Sequence, residues 1–350
     1  MKSVVMLGPS PHARGGMASV IATLLAHGYA HDGRCRFIAT QVDGGVARKA
    51  ARAGAALAQF VGLLAMGQVA LLHVHVASGV SFWRKAAFIG AARAFRCPVL
   101  FHLHGGEFRH FIDQRLSGRR QRAALALIGS AAAAFALTEE SAHWLRTRCQ
   151  LERVEVFPNP VATGGALPRA PGRNVVFIGR LEEKKGVFDL LHAFAQVAAA
   201  NGAARLVLAG EGQRGAVEAL ASELGILARL SLPGWVDDAH KAQLLATAAV
   251  FVLPSHHEQM PMSLLEAMAA GTPVVASDAG AISCIVQHER CGFVIPAKDI
   301  GALAASILRI LEDNVLADSF SRCGLERVTS EYKVETVLVR LRRRYEELAA

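Results

Sequence analysis

The sequence lacks the features that mark several protein classes. Its 12 prolines and 32 glycines follow no Gly-X-Y period, which excludes collagen-like and proline-rich architectures. Six cysteines stand far apart, at 35, 97, 149, 284, 291 and 323, with no Cys-x-x-Cys. They are too few for a disulfide scaffold and are expected to be reduced thiols of a cytosolic chain. Only three tryptophans and three tyrosines occur, no zinc-finger spacing is present, and basic residues do not interleave with aromatics, so nucleic acid is not an expected partner. No Gly-x-Ser-x-Gly is present for a serine hydrolase. The apolar run 3–8 is too short for a secretory h-region and stops at Gly-Pro. The apolar stretch 55–77 is interrupted by Gln59, Gln68, His73 and His75, whereas a membrane span needs about 20 nearly uninterrupted apolar residues. It reads as a buried helix over 48–67 followed by a buried strand over 69–76. A helix lying in a membrane interface is the alternative, which Arg48, Lys49 and Arg52 would suit.

What is present is apolar surface in quantity. Of 350 residues, 52% are hydrophobic and 19% charged, and mean hydropathy is +0.31. A chain of this length and composition folds, as about two domains. The net charge of +9 is uneven: residues 1–170 carry about +12 and residues 171–350 about −3. A basic first half suits an anionic partner such as a membrane surface or a phosphorylated ligand, or is simply a solvated face.

Short apolar runs alternate with longer helical patterns. Strands are expected over 3–7, 36–40, 70–75, 99–103, 134–137 and 152–157. A second series follows over 174–178, 205–209, 230–232, 250–253, 273–276 and 292–295. Strand–helix alternation gives parallel sheets covered by helices on both faces, and two series give two doubly wound domains. Proline and glycine punctuate 158–172, where the charge also changes sign, and this marks the boundary. The last segment, 333–348, is an amphipathic helix rich in arginine that either returns to the first domain or lies exposed.

The most informative stretch is Pro254-Ser-His-His-Glu258-Gln-Met-Pro261-Met-Ser-Leu-Leu-Glu266-Ala-Met-Ala-Ala-Gly271-Thr-Pro273. It follows a strand, in the place where parallel sheets bind ligands. It then enters a helix near Met262 whose first-turn N–H groups and positive dipole end suit a phosphate. Glu266, one turn in, could accept hydrogen bonds from vicinal hydroxyls. Most carboxylates are solvated, so two glutamates alone carry little. Arg180 and Lys185 follow another strand; Arg forks onto phosphate oxygens and Lys acts as a point charge. Gly15 and Gly16 allow a backbone to approach a diphosphate. Their loop is not Gly-x-Gly-x-x-Gly, which is poor support for a dinucleotide. His73 and His75 alternate, as do His102 and His104, so each pair shares one face of its strand. Two such strands could hold a metal, but no acidic or thiol ligands accompany them. His102 reads as a satisfied core residue. Ser81-Phe-Trp-Arg84-Lys85 reads as a basic loop that receives an anionic acceptor or caps the next helix.

The stretch around Glu258 and Glu266 resembles the Glu-x7-Glu signature of retaining GT-B glycosyltransferases of family GT4, together with its trailing Glu-Ala-Met-Ala-Ala-Gly-Thr-Pro. Other stretches agree in order: Phe177-Ile-Gly179-Arg180-Leu-Glu-Glu-Lys-Lys185-Gly186, Leu208-Ala-Gly210-Glu211-Gly212, Leu232-Pro-Gly234-Trp235-Val236, and Gly8-Pro-Ser-Pro-His-Ala-Arg-Gly15-Gly16-Met17. The resemblance covers nearly the whole chain and is stronger in its second half. It departs where Gln259-Met260-Pro261 follows Glu258, in place of a small residue and an aromatic–glycine pair, and this bears on the identity of the sugar.

The resemblance implies an α/β GT-B fold of two Rossmann-like domains facing a central cleft. The first, 1–165, would bind the acceptor, with helix 333–350 packing back on it; the second, 166–332, would bind the nucleotide sugar. It implies a hexosyltransferase that retains anomeric configuration. Glu258 would contact the donor sugar, as would His104, and Arg180 and Lys185 the diphosphate. Glu266 would hold the ribose. Gly15, Gly16, Met262, Ser263, Leu264 and Gly210 would line the nucleotide. No metal or other cofactor is expected, since no Asp-x-Asp lies near a strand end; the donor is a UDP or GDP sugar. The acceptor would be a glycan or lipid-linked precursor of a bacterial polysaccharide. The enzyme would be cytoplasmic, at the inner face of the plasma membrane, in peripheral contact with anionic lipid. Two other readings remain at this point: another GT-B sugar-nucleotide enzyme, epimerase-like or phosphorylase-like, and a non-catalytic sugar-nucleotide-binding protein.

Overall fold

Residues 2–31, 33–163 and 172–349 are described by the structure, a computed structural model. The chain divides into two compact units, residues 1–160 with 334–350, and residues 161–333. Residues 164–171 of the punctuated stretch lie outside the described residues.

In the first unit the strands are β1 (Ser3–Pro9), β2 (Cys35–Gln41), β3 (Val69–Val76), β4 (Val99–Leu103), β5 (Ala133–Ala136) and β6 (Val154–Val156). They form one parallel sheet in the order β2-β1-β3-β4-β5-β6. In the second unit β7 (Asn174–Ile178), β8 (Arg205–Ala209), β9 (Leu230–Gly234), β10 (Ala248–Leu253), β11 (Val274–Ser277) and β12 (Phe293–Ile295) form another, in the order β12-β11-β10-β7-β8-β9. The runs that form the central strands have almost no polar member because helices cover both faces. Val5, Met6 and Leu7 are fully buried, as are Val250, Phe251 and Val252. All twelve expected strands are present, and the fold class read from the sequence holds. Several helices begin at an acid that caps them: Asp237 accepts from His240 N–H, Asp299 from Ala302 N–H and Asp313 from Leu316 N–H.

Each sheet starts inside and builds in both directions. β1 lies between β2 and β3, and β7 lies between β8 and β10. The strand order therefore reverses at β1/β3 in one unit and at β7/β10 in the other. At such a point the loops leaving the two strands diverge and leave room for a ligand.

Three expectations are corrected. Residues 81–85 are not a loop: they lie in the helix Val80–Ala94, whose buried residues Phe82, Lys85, Phe88, Ile89 and Ala92 recur at helical spacing. Lys85 occupies a core position there, 1% exposed, and donates to Thr40 Oγ1 at 2.5 Å, so it is not a surface cation. The helix expected as buried runs over Val46–Ala65 and is amphipathic instead, with Ala56, Phe60, Leu63 and Leu64 buried. Its Arg52 turns back to donate to the carbonyl of Ala39. The third correction concerns thiols. Cys291 and Cys323 form a disulfide, with Cα atoms 4.9 Å apart. An edge-to-face contact of Phe293 with Phe320 packs their two segments together. A separation of 32 residues gives no local sign of that meeting. Cys35, Cys97, Cys149 and Cys284 are not in a disulfide.

The C-terminal helix, Val334–Ala349, packs in the first unit. Arg340 and Arg344 pair with Glu155 at 3.2 and 2.6 Å, and Arg342 donates to the carbonyl of Gly28. Its Tyr345 is buried against Tyr29 and His73.

Candidate functional site

The second unit concentrates charge where its strand order reverses. The loop after β7 carries Arg180 to Lys185, and the loop after β10 carries residues 254–261. The two are stitched together: His256 N–H donates to the carbonyl of Lys184 at 2.9 Å. Beside that bond Lys185 Nζ donates to Glu258 Oε1 at 2.5 Å, and Ser255 Oγ donates to the same oxygen at 2.9 Å. Glu258 is only 8% exposed, so it is not a surface acid. A buried carboxylate persists because it is paired and hydrogen-bonded. Asp189 and His256 Nε2 lie 2.5 Å apart and hold the outer part of the loop. Arg180 is more exposed and pairs with Glu182, which also holds Lys184 at 3.3 Å.

The loop has no freedom to shift. Gly280 sits at φ +61°, and a Cβ there would stand 2.1 Å from the carbonyl oxygen of Glu258. Gly280→Ala is therefore expected to displace Glu258 and to cost roughly 1–3 kcal/mol of backbone strain. Gly225→Ala, at φ +70° with nothing within 4 Å, is the matched control. Urea unfolding of both reads the difference; equal stability would show that the loop is not clamped.

Glu266 lies one turn into the helix Met262–Ala269. Lys241 Nζ donates to it at 2.8 Å and also pairs with Asp238 at 3.0 Å. Burial lifts the Glu266 carboxyl above its ordinary range, against the pull of Lys241. Burial also lowers Lys241, and its two carboxylates more than restore it. The helix start has Pro261 as N-cap and no side-chain cap. The amides of Met262, Ser263 and Leu264 thus form a first turn that no side chain caps, in the helix that carries Glu266.

Gly210-Glu-Gly212-Gln-Arg-Gly215 has the Gly-x-Gly-x-x-Gly spacing between β8 and the helix Arg214–Glu223, a match the sequence reading passed over. A Cβ at Gly210 would stand 1.8 Å from the carbonyl oxygen of Gly179. That glycine is required by the chain's own close approach and needs no pyrophosphate to explain it.

In the first unit Gly15 caps the helix Gly16–Ala26 that follows β1. His104 stands just past β4, its N–H bonded to the carbonyl of Val76. The register sets His75 opposite His102, so all four histidines share one face of the sheet. His75 Nδ1 lies 2.7 Å from His104 Nε2, and His73 Nε2 lies 3.1 Å from His102 Nδ1. Tyr345 Oη lies 2.6 Å from His73 Nδ1. Burial holds His73 and His104 neutral, with pKa values lowered to about 3. His75 and His102 are lowered by the same cause and by their neighbours. His73, His75 and His102 bring ring nitrogens within 4.8 Å of one another. Both nitrogens of His73 are already engaged, so the cluster is a hydrogen-bonded block rather than an open ligand set. His102, expected as satisfied, has one partner: its Nε2 has none among the described residues.

Of the residues singled out from sequence, the second unit pairs Lys185 with Glu258 and sets Glu266 on the helix whose first turn carries the amides of 262–264. It sets Arg180 further out and uses Gly210 for packing. Gly15, Gly16 and His104 belong to the first unit. Sequence reasoning did not find Lys241, Ser255, His75 as a partner of His104, or Tyr345. No motif marks Lys241, His75 or Tyr345, because each acts on a residue distant in the chain; Ser255 stands only three residues before Glu258, and its role shows only in the loop's turn.

Two Rossmann-like units with parallel sheets, each with a helix start near its reversal point, define the GT-B class of α/β folds. The Anabaena protein HepE, solved with UDP-glucose, shares this fold: TM-score 0.78 over 99% of this chain and 100% of that one, at 19% identity. Residues 172–313 match the glycosyl transferases group 1 family and residues 14–164 match glycosyltransferase family 4. The phosphatidyl-myo-inositol mannosyltransferase of Mycobacterium leprae is 30% identical over 81% of this chain and 75% of that protein. A Mycobacterium tuberculosis glycogen synthase is 33% identical over 49% of this chain, which matches only 41% of that protein's length. The chain belongs to the group 1 glycosyltransferase family.

Proposed function

We propose that the protein transfers a hexose from a UDP or GDP sugar to a hydroxyl acceptor, with retention of anomeric configuration. The observation that carries the reading is the Lys185–Glu258 pair, buried where the loops after β7 and β10 meet and beside an uncapped helix start. The amides of Met262, Ser263 and Leu264 bind the diphosphate, and Lys185 and Arg180 neutralise it, work that commonly dominates such catalysis. Glu266 accepts from the ribose hydroxyls once Lys241 yields one of its bonds. Glu258 faces the donor sugar. In the first unit, Gly15, Gly16 and His104 are the residues proposed for donor contact, and Gly210 supports the nucleotide loop. The acceptor hydroxyl attacks the anomeric carbon as the bond to the diphosphate breaks. The leaving phosphate takes the hydroxyl proton on the same face. These cations make a metal cofactor unnecessary; turnover lost in EDTA and restored by a divalent metal would overturn that part.

The acceptor is proposed to be a glycan or lipid-linked precursor of a polysaccharide, met at the cytoplasmic face of a membrane. The inositol-lipid acceptor named for the M. leprae relative supports this. So do the exposed Val46, Met66, Val80 and Trp83 of the basic first unit. No helix among the described residues is long and apolar enough to cross a membrane, so the proposed contact is peripheral. Sedimentation with anionic vesicles is expected at low salt and is lost at high salt; no binding at low salt would overturn the membrane part.

The reading itself is tested by thermal unfolding with UDP, GDP, ADP or CMP. A nucleotide at about 100 times its Kd adds about 2.7 kcal/mol, a rise of several degrees. One of the diphosphates UDP and GDP is expected to shift the wild type and not Glu266→Ala. No shift with any of the four would overturn the reading.

A further inference from the structure

The four histidines form two hydrogen-bonded pairs, and each pair leaves one fully buried ring nitrogen with no hydrogen-bond partner among the described residues. These are His75 Nε2 and His102 Nε2. A neutral imidazole has one N–H and one lone pair, so each hydrogen bond fixes the rest of the ring. If His104 donated from Nε2 to His75 Nδ1, the proton of His75 would sit on Nε2, a buried N–H with no acceptor. If His75 donates instead, its Nε2 is a bare lone pair. Orphaned buried donors are the rarer and costlier case. The charge nearby decides in the same direction. Lys85, buried on the adjoining helix, acts on His75 as a positive neighbour, and its N–H groups favour a lone pair over a second N–H. The same argument applied to His102 makes it the donor to His73 Nε2. His73 then donates from Nδ1 to Tyr345 Oη, and Tyr345 donates to Tyr29 Oη, 3.2 Å away. One direction satisfies every bond in the block.

We propose that His75 is a positioning residue that donates from Nδ1 to His104 Nε2, so that His104 carries its own proton on Nδ1 and presents a hydrogen-bond donor to its ligand. His104 Nδ1 has no protein partner among the described residues, and His104 is only partly buried, unlike the other three histidines. A hydroxyl or phosphate oxygen is the group such a donor takes. A basic nitrogen at that place would instead accept a hydroxyl proton. The consequence for turnover rests on the reading of His104 as a donor-sugar contact; the tautomer itself does not.

The test uses the full chain labelled with 15N-histidine, read by two-bond 1H–15N correlation at neutral pH. In the wild type His104 is expected to show a pyrrole-type Nδ1 and a pyridine-type Nε2. In His75→Leu the His104 signal moves toward the Nε2–H form, and kcat falls roughly tenfold or more with the donor KM little changed, as when a catalytic histidine loses the group that sets its tautomer. In His75→Asn, whose amide N–H replaces Nδ1–H, both return. A wild-type His104 protonated on Nε2 overturns the proposal, and so does an unchanged His104 tautomer in His75→Leu. If His75→Leu does not fold, the wild type and His75→Asn still decide. A wild type with Nδ1–H but no turnover of any sugar nucleotide would remove the functional reading and leave this one standing.

Discussion

Glu258→Gln is expected to lower sugar transfer by about 100-fold or more, the scale on which a single electrostatic group at a reacting centre acts, while nucleotide binding survives. The substitution keeps the shape and the acceptor oxygen that Ser255 Oγ reaches. It removes only the charge paired with Lys185 at 2.5 Å. Lys185 retains some solvent access, so it does not become a fully buried unpaired cation, and the stability cost stays below the roughly 3–5 kcal/mol of breaking a buried pair. Glu266→Ala is expected to do the reverse, abolishing the nucleotide-dependent rise in Tm. The two variants therefore separate sugar chemistry from nucleotide binding. A Glu258→Gln enzyme within threefold of wild type would show that the charge has no part in transfer.

Acid is expected to unfold the first unit well before ordinary carboxylate titration begins. His73 is neutral in the folded chain down to about pH 3, whereas an unfolded histidine protonates near 6.5. The folded value is depressed for a base, so between these values the unfolded state binds the extra proton. Stability therefore rises with pH across that window and falls as pH drops below about 6.5. For His73 alone the loss grows to roughly 1–3 kcal/mol as pH falls from 5.5 to 4.5. His75, His102 and His104 add losses of the same sign, since burial lowers all three. Lys85, lowered by burial and by Arg84 to about 7, acts in the same sense between about pH 7 and 10.4, its unfolded value. Urea titrations of wild type and His73→Phe from pH 7 to 4.5 read the effect. The variant loses the Tyr345 bond and is less stable at pH 7, but its stability is expected to fall less steeply, by up to one proton. Parallel slopes would mean that His73 is protonated in the folded state.

Alternation of apolar runs with helical patterns, and nothing finer, determined the fold class. A strand buried on both faces has to be apolar along its length, so β1, β7, β10 and β11 announce themselves. Asp237, Asp299 and Asp313 mark helix starts for an equally local reason: the cap bonds an amide three residues on. The loop around Glu258 and Glu266 was legible too, because the strand end, the proline and the helix start are contiguous in the chain.

Only the tertiary structure decided what each charge meets. Strand order is not written in any window of sequence, and the β7/β10 neighbourhood is what sets Lys185 against Glu258, 73 residues apart. Lys241 reaches Glu266 across 25 residues, and Tyr345 reaches His73 across 272. The same distance in sequence hid the Cys291–Cys323 bond. It also hid that Lys85, read as a loop cation, faces the core, because a single lysine in a helical stripe looks local until its neighbours are known. Sequence determined which elements form, since propensity and burial pattern act over a few residues. The fold determined which of their side chains become partners, since that depends on the order in which the strands pack.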